Sequence, residues 1–354
     1  MIKYLGSKRT LLPVILNAVG KLADVRTVTD LFSGTARVGH ALKAAGYAVR
    51  SNDHNAYAAT LARCYVQADD DWADDAAKLV MEFNALRGEP GYFTETFCEK
   101  SWFFQPKNGA RIDAIREAIA AKGLPPELEA VILVSLMEAA DRVDSTTGVQ
   151  MAYLKQWAPR SHNALELRVP VLLPRARHGK GEAHQLDAVD AARKLEADVV
   201  YLDPPYNQHS YLGNYHVWES LVRWDKPAVY GKACKRVDVR ERRSLFNSRP
   251  KFAEAFEQVL RNIRCQALII SFNNEGYLDR VAMEALLAEV FPGRAVVTLE
   301  NDFKRYVGAQ IGIHDLTGKK VGKVSHLRNK EFLYVVAAPS VAERVVTEEP
   351  ALFA

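Results

Sequence analysis

The chain has 354 residues, 48% of them apolar, so it is long enough for one large α/β domain with a smaller inserted one. A formal net charge of +4 is only mildly basic and does not by itself predict nucleic-acid binding. The four cysteines form no C-x-x-C pair and the nine histidines lack ligand spacing, which argues against a metal site and a disulfide framework.

A strand, a glycine-containing loop and a helix are predicted near the N terminus. The run 27–31 suits a buried strand, the loop reads Phe32-Ser33-Gly34-Thr35, and a helix is predicted from Val38. Glycine lets the backbone approach a ligand closely, and a helix N terminus offers unpaired N–H groups. This unit therefore predicts a ligand site.

A second strand, 47–52, ends at Asp53. That carboxylate follows the glycines by about 20 residues, where dinucleotide-binding folds place an acid for a ribose. The phosphate signature G-x-G-x-x-G is missing, so a nucleoside without a diphosphate fits better than a dinucleotide.

Residues 68–177 are predicted to form an inserted, mostly helical domain. Apolar residues recur at helical spacing over 110–122 and 127–143. A polar loop follows, and its Tyr153, Lys155 and Arg160 are of the types that contact bases and phosphates in DNA. The same loop could equally be an ordinary polar connection.

Later strands are predicted near 181–186, 198–202, 267–271, 295–299 and 332–336. The strand at 198–202 runs into Asp203-Pro204-Pro205-Tyr206-Asn207. Two prolines lack N–H donors, so nearby carbonyls stay free to accept hydrogen bonds from outside the sheet. Acceptors beside a flat ring suit the exocyclic amine of a planar base. The alternative is a strand that ends in a proline turn with a packed tyrosine.

Together these motifs resemble the S-adenosylmethionine-dependent DNA adenine-N6 methyltransferases of the D12, Dam-like class. The resemblance rests on residues 3–9, 30–39 and 203–206, and the stretches 203–218, 269–276 and 329–333 are closest to the FokI-type branch. Ala36 and Arg37 stand where the family's glycine motif usually carries a further glycine or serine.

The resemblance implies a Rossmann-like α/β methyltransferase fold, with a largely parallel central sheet and helices on both faces. Residues 1–67 and 178–354 would form the catalytic domain, and 68–177 the inserted target-recognition domain. The residues implied to bind the cofactor are Tyr4, Lys8, Asp30, Phe32, Ser33, Gly34, Thr35, Asp53, Asp187 and Asp203. Lys8 would pair with the cofactor carboxylate or be a surface lysine. Asp187 would accept from the cofactor adenine or cap a helix predicted over 188–195.

The implied reaction is site-specific methylation of a flipped-out adenine in double-stranded DNA, with Asp203, Pro204, Pro205 and Tyr206 as the catalytic motif. No metal or membrane is expected, and a cognate restriction endonuclease is a possible partner. No long apolar stretch or leader is apparent, so a cytoplasmic protein is expected.

Basic residues crowd two segments, 232–251 and 304–330, which would contact phosphates or form solvated faces. From these and the catalytic motif, Arg242, Arg243 and Asn207 are further predicted DNA contacts. Two rival functions stay open at this point: methylation of RNA or of cytosine N4, and DNA binding without turnover.

Overall fold

The computed structural model describes residues 1–208, 210–304 and 328–347. Its centre is a seven-stranded sheet. The strands in spatial order are β3 (Glu182–His184), β2 (Ala48–Asn52), β1 (Thr27–Asp30), β4 (Val199–Leu202), β7 (Ala267–Asn273), β9 (Arg328–Ala337) and β8 (Ala295–Lys304). A separate antiparallel pair consists of β5 (Val229–Tyr230) and β6 (Lys235–Arg236).

The sheet is largely parallel, as predicted. Strand β9 runs antiparallel to both β7 and β8, and the pairs from β3 through β7 are parallel. All four residues of β4 are buried, as expected for a strand covered on both faces. The predicted α/β class and the five later strands are confirmed.

Helices cover both faces of this sheet. They are α1 (Leu12–Lys21), α2 (Arg37–Ala44), α3 (Ala56–Ala62), α4 (Ala73–Ala85), α5 (Tyr92–Thr94), α6 (Pro106–Lys122), α7 (Pro126–Arg142), α8 (Ala188–Lys194), α9 (Tyr211–Asn214), α10 (His216–Arg223), α11 (Arg249–Asn262), α12 (Arg280–Val290) and α13 (Pro339–Thr347). Within β4, Val199 and Tyr201 point into the core shared with α1, α3, α7 and α10, while Val200 and Leu202 point into the core shared with α8, α11 and α12.

The stretch 68–177 is mainly helical, and its helices have clear sequence causes. Helix α6 begins at Pro106, which suits a first helical position, and stops at Gly123, whose φ of 57° is left-handed. Helix α7 is buried around most of its circumference because it packs between helix α6 and the hydrophobic core of the central sheet. Its Met137 belongs to the same hydrophobic core as Val28 and Val199. The division at 68 and 177 stays a prediction, and the hydrophobic core is continuous across both positions.

Within the described ranges, every helix is too short or too polar to span a bilayer.

Candidate active site

Three acidic residues meet at one edge of the sheet because parallel strands end on the same side. Asp30 ends β1, Asp53 follows β2, and Asp203 follows β4. A pocket opens at this edge. Its wall contains all ten residues that the sequence predicts for the cofactor: Tyr4, Lys8, Asp30, Phe32, Ser33, Gly34, Thr35, Asp53, Asp187 and Asp203.

The glycine loop is tied directly to the end of β2. The backbone N–H of Gly34 donates to Asp53 Oδ2 over 3.0 Å, and Gly34 has a left-handed φ of 51°. A Cβ at Gly34 would lie 3.4 Å from the Tyr4 ring, so glycine keeps this approach open. The Tyr4 ring in turn stacks on Tyr215 at 4.6 Å. The loop and the N-terminal segment therefore form one continuous wall.

Asp53 is oriented by backbone donors. Its Oδ1 accepts from the N–H of Asn55 over 2.9 Å, while Oδ2 accepts from Gly34. Burial raises the pKa of Asp53 to about 6, although these hydrogen bonds oppose the rise. Because Oδ1 also accepts from Asn55 Nδ2 over 3.3 Å, Oδ2 is the oxygen that keeps a further lone pair for a ligand hydroxyl.

Asp30 differs because neither of its carboxylate oxygens has a hydrogen-bond partner of normal geometry among the described residues. The side chain is buried, and burial together with the charges of Asp203 and Asp53 raises its pKa to about 8, with the Gly39 backbone opposing in part. Buried polar atoms are almost always satisfied in folded proteins. Because Asp30 lies in the pocket wall, its oxygens suit a donor from a bound ligand.

Lys8 joins the N-terminal segment to Asp203, the first residue of the Asp-Pro-Pro-Tyr motif. Its Nζ lies 3.1 Å from Asp203 Oδ1 and 2.5 Å from Glu331 Oε1. Ser271 Oγ donates to the same Glu331 oxygen over 2.9 Å. Burial raises the pKa of Asp203 to about 6; Lys8 opposes this rise and Glu331 adds to it. Lys8 is a buried lysine of the site, paired with carboxylates of the chain itself.

The loop after β4 is held against β7. The Tyr206 ring packs 5.0 Å from Phe272, and its Oη accepts from Asn273 Nδ2 over 3.2 Å. Pro204 is buried and Pro205 lies in the pocket wall. The segment from Asp203 to Tyr206 is therefore fixed beside the pocket, and Tyr206 remains partly exposed.

Comparison with known proteins matches residues 4–271 to the family model of D12 class N6 adenine-specific DNA methyltransferases. The chain belongs to this family. The predicted family is confirmed, and membership implies a methyl-donor cofactor.

Named relatives agree with this assignment. The chain is 30% identical over 306 residues to modification methylase StsI of Streptococcus sanguinis, covering 81% of this chain and 46% of that protein. It is 29% identical to type II methyltransferase M.FokI of Planomicrobium okeanokoites, covering 80% of this chain and 46% of that protein. For type II methyltransferase M.NlaIII of Neisseria lactamica the identity is 29%, with coverages of 78% and 84%. The chain thus spans about half the length of the first two relatives.

The predicted DNA contacts lie in three segments of the chain. Arg242 and Arg243 lie in the wall of the pocket itself, and Arg242 Nη1 pairs with the buried Glu219 at 2.8 Å. Their replacement is therefore expected to disturb the pocket as well as any DNA contact. Asn207 lies in the loop after β4, where its carbonyl accepts from Asn247 Nδ2 over 2.9 Å.

The three predicted contacts in the loop after α7 have different surroundings. Tyr153 packs edge-on against Phe103 at 5.5 Å, and Lys155 is exposed. Arg160 Nε donates to Asp144 Oδ1 over 2.8 Å. In the first basic segment, Arg236 is buried and donates to both carboxylate oxygens of Asp225. It is therefore not a phosphate contact in this arrangement. Residues 305–327 of the second segment lie outside the described residues.

Asp187 fulfils the capping alternative. Its Oδ1 accepts from the N–H of Val189 over 2.9 Å at the start of α8, and it also lies in the pocket wall. Capping uses one oxygen, so the two interpretations of Asp187 are compatible.

Several site residues escaped sequence reasoning. Asn52 links three segments, donating to the Leu31 carbonyl and accepting from the Leu186 N–H. Arg37 lies in the pocket wall, and its buried Nε has no hydrogen-bond partner among the described residues. Glu331 gave one signal, since it is an acid at the head of the apolar run of β9.

Proposed function

We propose that the chain transfers a methyl group from S-adenosylmethionine to N6 of an adenine at a specific site in double-stranded DNA. The observation that carries the proposal is the intact motif from Asp203 to Tyr206 at the edge of the pocket containing Asp30 and Asp53. The family match supports the adenine N6 substrate.

The donors and acceptors in the wall fit this cofactor. The oxygens of Asp30 would accept from the ammonium group of its methionine part, and Oδ2 of Asp53 would accept from a ribose hydroxyl. Asp187 would accept from its adenine amine. We assign the carboxylate to Arg37, because the amino group of Lys8 already contacts Asp203 and Glu331. When bound, S-adenosylmethionine supplies an electrophilic methyl group on a sulfonium.

The target base has to leave the duplex, since its N6 cannot reach a pocket at the sheet edge while it is stacked. Tyr206 would stack on the extruded adenine, an interaction of about 1–3 kcal/mol that offsets part of the cost of unstacking. The carboxylate of Asp203 and the carbonyl of Pro204 would accept the two N6 hydrogens. These bonds turn the nitrogen lone pair towards the pocket and stabilise positive charge that develops on N6. The proton released afterwards passes to water.

The rival substrates share this chemistry. An Asp-Pro-Pro-Tyr turn would serve cytosine N4 or an RNA base equally well, and the family match favours DNA adenine. A DNA-binding protein without turnover is disfavoured because Asp203 is retained beside the pocket. A restriction endonuclease for the same site is the partner that this function predicts.

The test is methyl transfer from tritiated S-adenosylmethionine to unmethylated plasmid DNA, followed by nucleoside digestion and mass spectrometry. Wild type should yield N6-methyladenine, and Asp203→Ala should lower the rate at least about a hundredfold because it removes a transition-state acceptor. Asp190→Ala, on the exposed side of α8, is the matched control and should behave as wild type. Methyl transfer confined to RNA or to cytosine-only duplexes would overturn the assignment of DNA adenine as the substrate. Cofactor binding and DNA binding with no transfer to any nucleic acid would favour the non-catalytic alternative.

A further inference from the structure

A buried ion-pair network connects the carboxylate of Asp203 with strand β9. Lys8 lies between Asp203 and Glu331, and both lysine and glutamate are almost inaccessible to solvent. We propose that Glu331 is a positioning residue for methyl transfer: it holds Lys8 and shares its charge, so that Lys8 does not neutralise the Asp203 carboxylate by itself and this carboxylate stays a strong acceptor for the N6 hydrogens. The inference rests on the proposed function.

Glu331 acts through Lys8 because it cannot reach a ligand itself. It is 6% exposed and is not among the residues of the pocket wall. It lies on β9 in register with Asn273 of β7, which places it behind the catalytic loop. The fully buried Ser271 donates to the carboxylate oxygen that accepts from Lys8 and so fixes its direction.

The charge balance gives Glu331 its role. A single ammonium beside a single carboxylate makes a neutral pair, and a carboxylate in such a pair is a weaker acceptor for another donor. Here one ammonium is shared by two carboxylates, so the trio keeps one net negative charge. Without the charge of Glu331, Lys8 would pair with Asp203 alone and would neutralise it.

The charged and titratable groups around Asp203 determine the direction in which Glu331 shifts its pKa. Its titratable neighbours from the packed elements are Lys8, Asp30, Tyr201, Tyr206, Tyr211 and Glu331. Burial lowers the pKa of Lys8, but Asp203, Tyr206 and Glu331 outweigh it, so the pKa lies well above the ordinary value and Lys8 stays charged. Glu331 contributes to the raised pKa of Asp203, which is about 6. Removing its charge therefore lowers the pKa of Asp203.

The deciding variant is Glu331→Gln, which keeps the shape and removes the charge. We expect kcat on plasmid DNA to fall about tenfold or more, as for the loss of one charged interaction in the transition state. The acid limb of kcat/KM, which reports the free enzyme, should move to lower pH because Asp203 ionises more easily. Cofactor Kd from calorimetry, KM for DNA and the melting temperature should stay close to wild type.

Two further variants separate this role from a structural one. Glu331→Asp keeps the charge, so its acid limb should stay at the wild-type pH even if kcat falls through the shorter reach. Glu300→Gln is the matched control on the adjacent strand β8, where the exposed Glu300 pairs with Lys330 and does not contact Lys8. It should leave kcat, the acid limb and the cofactor Kd unchanged.

Two results would overturn the inference. One is wild-type kcat and an unmoved acid limb in Glu331→Gln; the other is a loss of activity that follows a parallel loss of cofactor affinity and melting temperature. The wild-type reaction in the same assay separates this failure from the larger one. If wild type forms no N6-methyladenine, the proposed function fails and this inference fails with it. If wild type is active and Glu331→Gln matches it, only the inference fails.

Discussion

The pocket at the sheet edge and the loop of residues 144–163 were both predicted to bind ligands, yet their side chains are positioned in different ways. In the pocket, Asp30, Asp53 and Asp203 come together from distant parts of the chain because parallel strands end at one edge. In the loop, Asp144 binds Lys3 and Arg160, so a basic residue predicted to contact DNA has an internal partner. Strand ends are positioned by the fold, whereas the direction of a loop side chain depends on local contacts.

The two regions also differ in hydrogen bonding. Around the pocket, buried atoms of Asp30, Ser33 and Arg37 have no partner among the described residues. In the loop, Asp144 and Arg160 are satisfied by each other. Unsatisfied buried polar atoms are costly, so they are expected where a ligand completes the bonding. Such atoms also occur away from the pocket, at Arg116, His216 and Asn301, so the pocket is marked as a binding region because Asp30, Ser33 and Arg37 all line one cavity.

Between the pocket and the loop, the largest difference we expect is in cofactor affinity for Arg37→Met, which keeps an apolar stem and removes the charge. Loss of a hydrogen bond to a charged group costs about 1.5–3 kcal/mol, so Kd for S-adenosylmethionine should rise about 10- to 100-fold. Calorimetric titration measures this directly. Arg264→Met is the control, because Arg264 is exposed beside Glu196 before β7, at the opposite edge of the sheet. An unchanged Kd in Arg37→Met would return the carboxylate to Lys8, as the sequence had suggested.

Much of the pocket could be predicted because each motif residue follows a strand or a glycine loop. Glu331 could not, since it is 323 residues from Lys8 and reaches it only because β9 inserts between β7 and β8. Periodicity predicts which face of a strand is buried, but it does not predict the neighbouring strand. Likewise, helices α6 and α7 were predicted, while the sharing of their core with the sheet depends on packing that no local pattern records.

A smaller expected effect is on thermal stability. It tests whether the buried carboxylate of Asp30 lacks hydrogen-bond partners in the folded chain. The pKa of Asp30 is about 8 in the folded chain, whereas a free aspartate titrates near 4. Between these values unfolding releases a proton, so Asp30 lowers stability progressively as pH rises from about 4 to about 8, and the penalty is constant above that.

Asp30→Asn removes this titration and should therefore melt at a higher temperature than wild type, by a few degrees at pH 8. The difference should shrink towards pH 5. Calorimetric melting across this range measures it, with Asp190→Asn as an exposed control that shows no pH-dependent difference. The same Asp30 variant should bind S-adenosylmethionine more weakly, because an amide cannot pair with an ammonium group. Equal melting temperatures at every pH would mean that Asp30 is satisfied in the folded chain.

The smallest effect lies in the loop itself, where Lys155 and Arg160 can be set against each other. Lys155 is exposed, so Lys155→Ala should weaken binding to duplex DNA and lower the magnitude of the slope of log K against log salt by about 1. Arg160 is engaged with Asp144, so Arg160→Met should lower the melting temperature and leave the salt slope unchanged. Fluorescence anisotropy over a salt series decides between them. A reversed outcome would mean that Arg160 leaves Asp144 when DNA binds, and the loop would then be a recognition element that the free chain holds closed with its own carboxylate.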